Sequence, residues 1–224
     1  MFDFLDLDRY NIFEAFWTTI ELTFLSGVGS LIWGTVLAAM RVSPVPVMRA
    51  FGTAYVNIFR NIPLTLIIVF CSIGLGQTLR VTMFSDGDVS SMNFRLAVLG
   101  FIVYTSAFVC EALRSGINTV PVGQAEAARA LGLTFSQVLR LVVLPQAFRS
   151  VIAPLANILI ALTKNTTVAS AIGVAEAAAL MSEMVENEAQ LLPISLLFAL
   201  GFIILTLPTG IFLGWVAKRM AVKR

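Results

Sequence analysis

The sequence predicts an all-α fold, a polytopic membrane helical bundle of five transmembrane helices with the N-terminus out and the C-terminus in. Of the 224 residues, 58% are hydrophobic and only 12% are charged, and the mean hydropathy is +0.90. A soluble domain carries about 25% charged residues, so the composition predicts that most of this surface contacts lipid rather than water. The small net charge of +2, without a basic stripe interleaved with aromatic residues, argues against nucleic acid as a partner.

Five apolar stretches account for the predicted spans, since about 20 predominantly apolar residues are needed to cross the hydrocarbon core. Residues 96–110 are apolar but short, and they reach span length only with their flanks. Residues 150–175 are interrupted by Lys164, and Pro154 is expected to break their helix. The other three stretches contain no charged residue: residues 22–40, 61–79 and 189–217.

The basic residues give the orientation, because lysine and arginine near span ends mark the cytosolic side. With the N-terminus outside, four or six spans would place the basic C-terminal tail outside as well. The distribution of basic residues therefore favours five spans. With the N-terminus outside, three arginines fall in external segments: Arg9, Arg80 and Arg95. Eleven basic residues then fall in cytosolic segments: Arg41, Arg49, Arg60, Arg114, Arg129, Arg140, Arg149, Lys218, Arg219, Lys223 and Arg224.

Acidic residues concentrate on the predicted outer side. They either keep short loops soluble or form a docking face for an external partner with basic patches. The nine residues expected to face outward are Asp3, Asp6, Asp8, Asp86, Asp88, Glu176, Glu183, Glu186 and Glu188.

Cysteine and histidine usage gives no support to a metal or redox site. The two cysteines, Cys71 and Cys110, lie inside apolar stretches and are expected to pack as small apolar residues. Histidine, the commonest general base and metal ligand, is absent from the sequence. No acid/base dyad or nucleophile elbow is recognisable, so we expect neither a metal site nor enzymatic activity.

A long segment, residues 111–149, lies between the third and fourth spans on the predicted cytosolic side. Unusually long connections are often functional. Pro121 opens a helix over residues 124–131, which are rich in strong helix formers. Gly132 then ends this helix, because glycine adopts the left-handed backbone of a helix C-terminus.

A second short helix follows in the same segment. Thr134 and Gln137 have the spacing of a capping box, which predicts a helix start. This helix is expected to end near Leu144 and Pro145. Two short helices joined by a fixed glycine bend form a rigid knob, which is suited to docking onto a separate motor protein.

A spaced motif runs through this segment: Glu126-Ala127-Ala128, three residues, Gly132, nine residues, then Val142-x-Leu144-Pro145. It resembles the EAA motif of ABC importer permeases, with Val142 where isoleucine is usual. In that family the loop forms coupling helices that sit in a cleft on the nucleotide-binding subunit. The resemblance implies ATPase coupling by eight residues: Gly123, Glu126, Ala127, Ala128, Arg129, Gly132, Leu144 and Pro145.

Four further motifs extend the resemblance over nearly the whole chain: residues 59–64 (FRNIPL), residues 144–149 (LPQAFR), Pro154 with Asn157, and Lys164-Asn165-Thr166-Thr167. They resemble the subfamily of permeases for polar amino acids (histidine, glutamate, glutamine, arginine and opines). Many relatives have Asp-Thr-Ser at residues 165–167. The form with Asn-Thr-Thr is most similar to permease subunits of actinobacterial glutamate importers.

The resemblance implies a type I ABC importer fold, one permease domain over residues 1–224, in the bacterial cytoplasmic membrane. The implied partners are a nucleotide-binding ATPase subunit, a second permease subunit, an extracytoplasmic solute-binding protein and membrane lipid. Because the sequence lacks a Gly-x-x-x-x-Gly-Lys-Ser/Thr loop, ATP is expected on the partner and no cofactor in this chain. The implied function is alternating-access import of a polar amino acid, first of all glutamate. The alternatives are a non-transporting scaffold or sensor subunit and a gradient-driven carrier.

Seven residues are candidates for the substrate pathway: Lys164, Asn165, Thr166, Thr167, Asn157, Arg60 and Asn61. Lys164 either pairs with a substrate carboxylate or snorkels to the outer interface. The three residues after it either donate hydrogen bonds or cap an unwound helix end. Arg60 either follows the topology or forms a cytosolic gate, with Pro63 fixing a bend. Asn157 either satisfies the carbonyl freed by Pro154 or binds the amino acid.

Overall fold

The computed structural model describes residues 9–81 and 88–220, which are almost entirely helical. The predictions for Asp3, Asp6, Asp8, Asp86, Lys223 and Arg224 concern residues outside these ranges. The α-helices are α1 (Ile12–Val42), α2 (Pro46–Asn61), α3 (Leu64–Val69), α4 (Val89–Asn118), α5 (Val122–Ala130), α6 (Phe135–Val138), α7 (Leu144–Asn165), α8 (Ala177–Glu188) and α9 (Leu191–Met220). A π-helical segment, Phe70–Thr78, continues α3; a second, Leu139–Val143, joins α6 to α7; and a 3-10 segment, Thr166–Ile172, continues α7.

Within the described residues, four helical segments are long and apolar enough to cross a membrane, and the bent pair of α2 and α3 brings the total to as many as five. The predicted all-α membrane bundle is therefore confirmed. The short apolar stretch of residues 96–110 lies within α4. Because its flanks are also helical, α4 has 30 residues and reaches span length. Asp88 caps α4 by accepting hydrogen bonds from the Ser91 backbone N–H and hydroxyl, both at 2.9 Å. These bonds stabilise the charged form and lower the pKa of the Asp88 carboxyl.

The chain bends by 105° between α2 and the helix that begins with α3, at the start of the predicted second span, residues 61–79. Pro63 lies at the bend, directly before α3, with Ile62 in an extended conformation. A proline disfavours the helical conformation of the residue before it, so α2 ends at Asn61. The bend therefore occurs where the sequence placed Pro63.

The second helix of the cytosolic segment does not end near Leu144 and Pro145, so that prediction is wrong. The chain stays helical from Phe135 to Ile172, through the π-helical segment and into α7. Pro145 stands in the first turn of α7, where a missing backbone N–H is tolerated. The cytosolic knob and the fourth span are therefore parts of one continuous helical segment.

Pro154 does not break the fourth span, which corrects a second prediction. It lies inside α7, which continues to Asn165, and its ring is on an exposed face. Proline is tolerated in spans because neighbouring helices, hydroxyl side chains, water or local adjustments of the helix satisfy the backbone groups that it frees.

The centre of the bundle is the parallel pair of α1 and α4, which are in contact along much of their length. A Cβ atom at Gly34 would lie 2.6 Å from the Val109 Cβ and 2.9 Å from the Ser106 carbonyl oxygen. At Gly29 it would lie 2.3 Å from the Ile102 Cδ1. Small residues are common where two spanning helices approach closely. A side chain at Gly34 would force α1 and α4 apart, because it would meet the Ser106 backbone, whereas at Gly29 the end of the flexible Ile102 side chain would have to move.

We expect Gly34→Leu to separate α1 from α4 and to lower the yield of folded membrane protein severalfold, because overpacking costs about 1–3 kcal/mol or more. The measurement is the monodisperse fraction after detergent extraction. Gly214→Leu is the matched control, since a Cβ atom at Gly214 meets no atom of the described residues within 4 Å. Equal losses in the two variants would contradict the packing explanation.

Candidate functional site

The first candidate site is the cytosolic knob, residues 121–143, which contains α5 and α6. Gly132 follows α5 with a φ of +87°, and its N–H donates to the Arg129 carbonyl at 2.9 Å. The Thr134 Oγ1 accepts from the Gln137 N–H at 3.4 Å, and the Gln137 Oε1 accepts from the Thr134 N–H at 2.9 Å. The predicted left-handed glycine and the predicted capping box are both confirmed.

Large apolar side chains cover the outside of the knob. Val122, Leu131, Phe135 and Leu141 are each more than half exposed. The Arg129 guanidinium lies 5.9 Å from the centroid of the Phe135 ring. Apolar side chains exposed together outside the spans indicate a surface for another protein.

The knob is held against the start of α7 by polar and apolar contacts. The Gln146 Nε2 donates to the Gln124 Oε1 at 2.7 Å and to the Val142 carbonyl at 3.0 Å. Ala128 and Val138 are buried beneath the two short helices. These contacts join α5 to α7, so the knob and the fourth span form one unit.

The other residues with predicted coupling roles lie in different surroundings. Glu126 and Ala127 are exposed on α5, and Glu126 forms no ion pair with a described residue. A Cβ atom at Gly123 would meet nothing within 4 Å. Leu144 and Pro145 instead line an apolar cavity of about 660 Å³ between α1, α4 and the start of α7.

The second candidate site is an uncovered face of α7. Asn157 and Lys164 lie about two helical turns apart on this face, and both are exposed. Ala153, Pro154 and Ala161 are exposed on the same side, and we call these five residues the α7 stripe. Neither Asn157 nor Lys164 has a side-chain partner among the described residues. An unpaired lysine in a span is a candidate for a functional residue.

The residues after Lys164 are arranged as a helix end. The Thr166 Oγ1 donates to the Thr163 carbonyl, and the Thr167 Oγ1 donates to the Lys164 carbonyl, both at 2.8 Å. Thr166 is fully buried, and Asn165 is the last residue of α7. The two hydroxyls therefore satisfy carbonyls where α7 passes into the 3-10 segment, which favours the capping interpretation.

Arg60 belongs to a charge cluster that sequence reasoning missed. The Glu111 Oε1 accepts a hydrogen bond from Arg41, and its Oε2 lies 3.6 Å from the Arg60 Nη1. The Arg60 guanidinium also lies 5.6 Å from the centroid of the Phe108 ring. The cluster joins the C-terminal parts of α1, α2 and α4 on the cytosolic side. The sequence did contain a signal for this cluster: Glu111 directly follows the apolar residues 96–110, at the cytosolic end of a span, where basic residues are concentrated.

Asn61 does not join the α7 stripe. Its Nδ2 donates to the Asn57 carbonyl at 2.6 Å, so the Asn61 side-chain amide makes its hydrogen bond within α2. The contacts of Arg60 are with α4. The seven candidates for the substrate pathway therefore divide into two groups: one is on the α7 stripe and the helix end that follows it, and the other is at the C-terminal end of α2.

A polar cavity of about 630 Å³ opens at the outer end of the bundle, between α1, α4 and α8. Glu14, Glu21 and Glu183 contribute carboxylates to its lining, together with Arg95. The Trp17 Nε1 donates to the Glu21 Oε1 at 2.7 Å. Of these three carboxylates, only Glu183 is among the residues that were expected from the sequence to face outward.

Glu176 does not face outward, although it was expected to do so with the other acidic residues. It is fully buried, and its carboxylate accepts from the N–H groups of Ala178 and Ala179 at 3.0 and 2.9 Å. These bonds cap α8. The pKa of the Glu176 carboxyl is raised, because the effect of burial is larger than the opposing effect of these hydrogen bonds.

Residues 15–222 match the family described as the inner membrane component of binding-protein-dependent transport systems. The chain belongs to this family and is a multi-pass permease subunit of the cytoplasmic membrane. Among the described residues, no group of three or more His, Cys, Asp or Glu side chains could hold a metal ion.

The individual relatives are amino-acid permeases. The chain is 58% identical to the glutamate transport system permease protein GluC of Corynebacterium efficiens, over 96% of each chain. It is 56% identical to GluC of Corynebacterium glutamicum, again over 96% of each. The crystal structure of an amino acid ABC transporter with histidines aligns with a TM-score of 0.83 at 26% identity, covering 97% of this chain and 98% of that chain.

We expect Glu111→Gln to destabilise the protein, because Arg41, with only 9% of its side chain exposed, loses its charged partner. Breaking a buried pair is strongly destabilising, but Glu111 is 31% exposed, so solvent screening reduces the loss to about 1–2 kcal/mol. The measurement is the thermal midpoint in detergent. Glu186→Gln, at an exposed carboxylate outside the cluster, is the control. A midpoint equal to that of the control would refute the role of the cluster.

Proposed function

We propose that this chain is the translocation subunit of an ATP-driven importer for an acidic amino acid, with glutamate as its substrate. One observation carries the proposal: the helical segment Phe135–Ile172 begins in the knob and includes the whole α7 stripe. Because a helix is stiff, a displacement of the knob moves Asn157 and Lys164 with it. Energy supplied at the cytosolic surface can thus reach the part of the membrane domain that meets the substrate.

ATP binding and hydrolysis belong, in this proposal, to a separate subunit that docks on the knob. The exposed apolar side chains of the knob suit insertion into a cleft of that subunit. Glu126 and Arg129 on α5 supply charges for the rim of such an interface. The chain itself then needs no cofactor, which agrees with a sequence that contains no phosphate-binding loop.

Glutamate is proposed as the substrate for two reasons. The Lys164 ammonium is exposed and has no carboxylate partner among the described residues, so it is free to pair with an acidic substrate. Two relatives that are more than half identical to this chain are glutamate transport system permeases. Asn157, on the same face of α7, offers an amide that can donate to a carboxylate or accept from an ammonium group.

Two further partners follow from the uncovered surfaces. A second permease subunit, identical or related, is proposed to cover the α7 stripe and enclose the path between the two subunits. A solute-binding protein is proposed to dock at the outer cavity, where three carboxylates complement a basic patch. Membrane lipid surrounds the outward-facing apolar side chains of α9, such as Leu196 and Ile203.

In the resulting cycle, closure of the ATPase draws the two knobs together and opens the path outward, and its release opens the path to the cytosol. Arg60 and Asn61 lie at the cytosolic end of this path, where the substrate would leave.

The test of the proposed function is ATP-dependent glutamate uptake into proteoliposomes that contain the complete complex and the binding protein. Uptake that does not depend on ATP would indicate a gradient-driven carrier, and the absence of uptake would indicate a scaffold or sensor subunit.

Gly132→Pro is expected to abolish ATPase stimulation by the loaded binding protein while membrane insertion stays normal. Proline cannot adopt the φ of +87° and lacks the N–H that donates to Arg129. Gly132→Asn is the matched control, because asparagine tolerates the left-handed backbone and keeps its N–H. Glu126→Arg is expected to uncouple in the same way. Normal uptake by both Gly132→Pro and Glu126→Arg would disprove docking through the knob.

Lys164→Met is expected to raise the KM for glutamate uptake about tenfold or more, since a hydrogen bond to a charged group contributes about 1.5–3 kcal/mol. The measurement is initial uptake rate against the concentration of loaded binding protein, with its glutamate affinity checked separately. Lys218→Met, at an exposed lysine of α9, is the control. An unchanged KM would show that Lys164 only snorkels to the interface.

A further inference from the structure

A buried amide links three elements near the outer end of the bundle. Asn93, in the second turn of α4, is only 8% exposed. Its Oδ1 accepts from the Ser72 Oγ at 2.9 Å, and its Nδ2 donates to the Ile172 carbonyl at 2.7 Å. Ser72 lies in the π-helical segment of the second span, and Ile172 is the last residue of the 3-10 segment after α7.

The chemistry of this link requires an amide side chain. The Ile172 carbonyl can only accept, so the Asn93 Nδ2 must face it, and the Asn93 Oδ1 is then available to Ser72. An aspartate would keep the acceptor and lose the donor, and a leucine would lose both. The residue therefore makes two different hydrogen bonds to two elements that lie far apart in sequence.

The 3-10 segment needs this external contact because its own hydroxyls are used internally. Thr166 and Thr167 donate to carbonyls of α7, and the Ser170 Oγ donates to the Thr167 carbonyl at 2.7 Å. Its other contacts with the apolar core come from Val168, Ala169 and Ile172. Apolar packing alone allows small shifts, whereas a buried hydrogen bond from α4 fixes the segment at one position.

We propose that Asn93 is a positioning residue of the substrate path: it fixes the 3-10 segment, and with it Lys164 at the end of α7, relative to the second span. Asn93 is not expected to touch the substrate. It acts through the segment to which it donates, because small displacements of a binding group reduce its effect strongly. This inference rests on the proposed function for its effect on uptake, and it makes a structural prediction that does not depend on transport.

The experiment uses the full complex and the variants Asn93→Asp, Asn93→Leu and Ser72→Ala. Ser26→Ala is the matched control, since Ser26 is also buried but its hydroxyl has no hydrogen-bond partner among the described residues. The first readout is amide hydrogen exchange over residues 166–172. Exchange is expected to accelerate about tenfold in Asn93→Asp and less in Ser72→Ala, as the loss of one buried hydrogen bond implies.

The second readout separates KM from the maximal rate of glutamate uptake. The KM of Asn93→Asp is expected to rise about tenfold, with basal ATPase activity and maximal rate near those of the wild type. Ser72→Ala is expected to raise the KM less, and to add nothing in the Asn93→Leu background, because both changes remove the same bond.

The outcomes distinguish this inference from the proposed function. Unchanged exchange in Asn93→Asp and Ser72→Ala overturns the inference whatever uptake shows, and Ser72→Ala tests it even if Asn93→Asp fails to fold. Faster exchange with an unchanged KM overturns the positioning role and leaves Asn93 a purely structural residue. A wild-type complex that takes up no glutamate overturns the proposed function, and with it the effect on KM, while the exchange result stands.

Discussion

The close approach of α1 and α4 is the contact on which the other elements depend. Gly29 and Gly34 leave room for the facing side chains of α4, so the two helices pack with little space between them. Lipid is as apolar as these side chains, so close packing has to hold spanning helices together where the hydrophobic effect cannot. The pair then offers two apolar clusters: one, around Phe101, receives α3, α7 and the 3-10 segment, and the other, around Leu37, receives α2.

Polar side chains hold the ends of this apolar assembly in place. Glu111 joins three helices at the cytosolic end, Asn93 joins three elements near the outer end, and Glu176 caps α8 there. Each is wholly or partly removed from water, so each needs a partner to offset its desolvation. These residues therefore define which helices meet, a role that uniform apolar packing cannot perform.

The continuity of Phe135–Ile172 connects the cytosolic surface with the membrane interior. In the function proposed above, energy comes from another subunit, so the knob would have to move the spans, and a flexible connection would absorb that movement. The π-helical segment Leu139–Val143 and the first turn of α7 carry the helix past Pro145 without a break. The knob, the α7 stripe and the segment held by Asn93 thus follow one another along a single stiff path.

The sequence by itself determined the helical class, the spans, the caps at Gly132 and Thr134, and the packing role of the two cysteines, which are free and buried. These features depend on local composition and on neighbours a few residues apart, which a sequence displays directly. Tertiary structure decided that Pro145 and Pro154 lie within helices, that Glu176 is buried, and that the Thr166 hydroxyl caps a helix end. It also brought Glu111 to two arginines and Asn93 to Ile172, 79 residues away. Such contacts follow from how the helices pack, because residues distant in sequence become neighbours only when α1, α4 and α7 have come together.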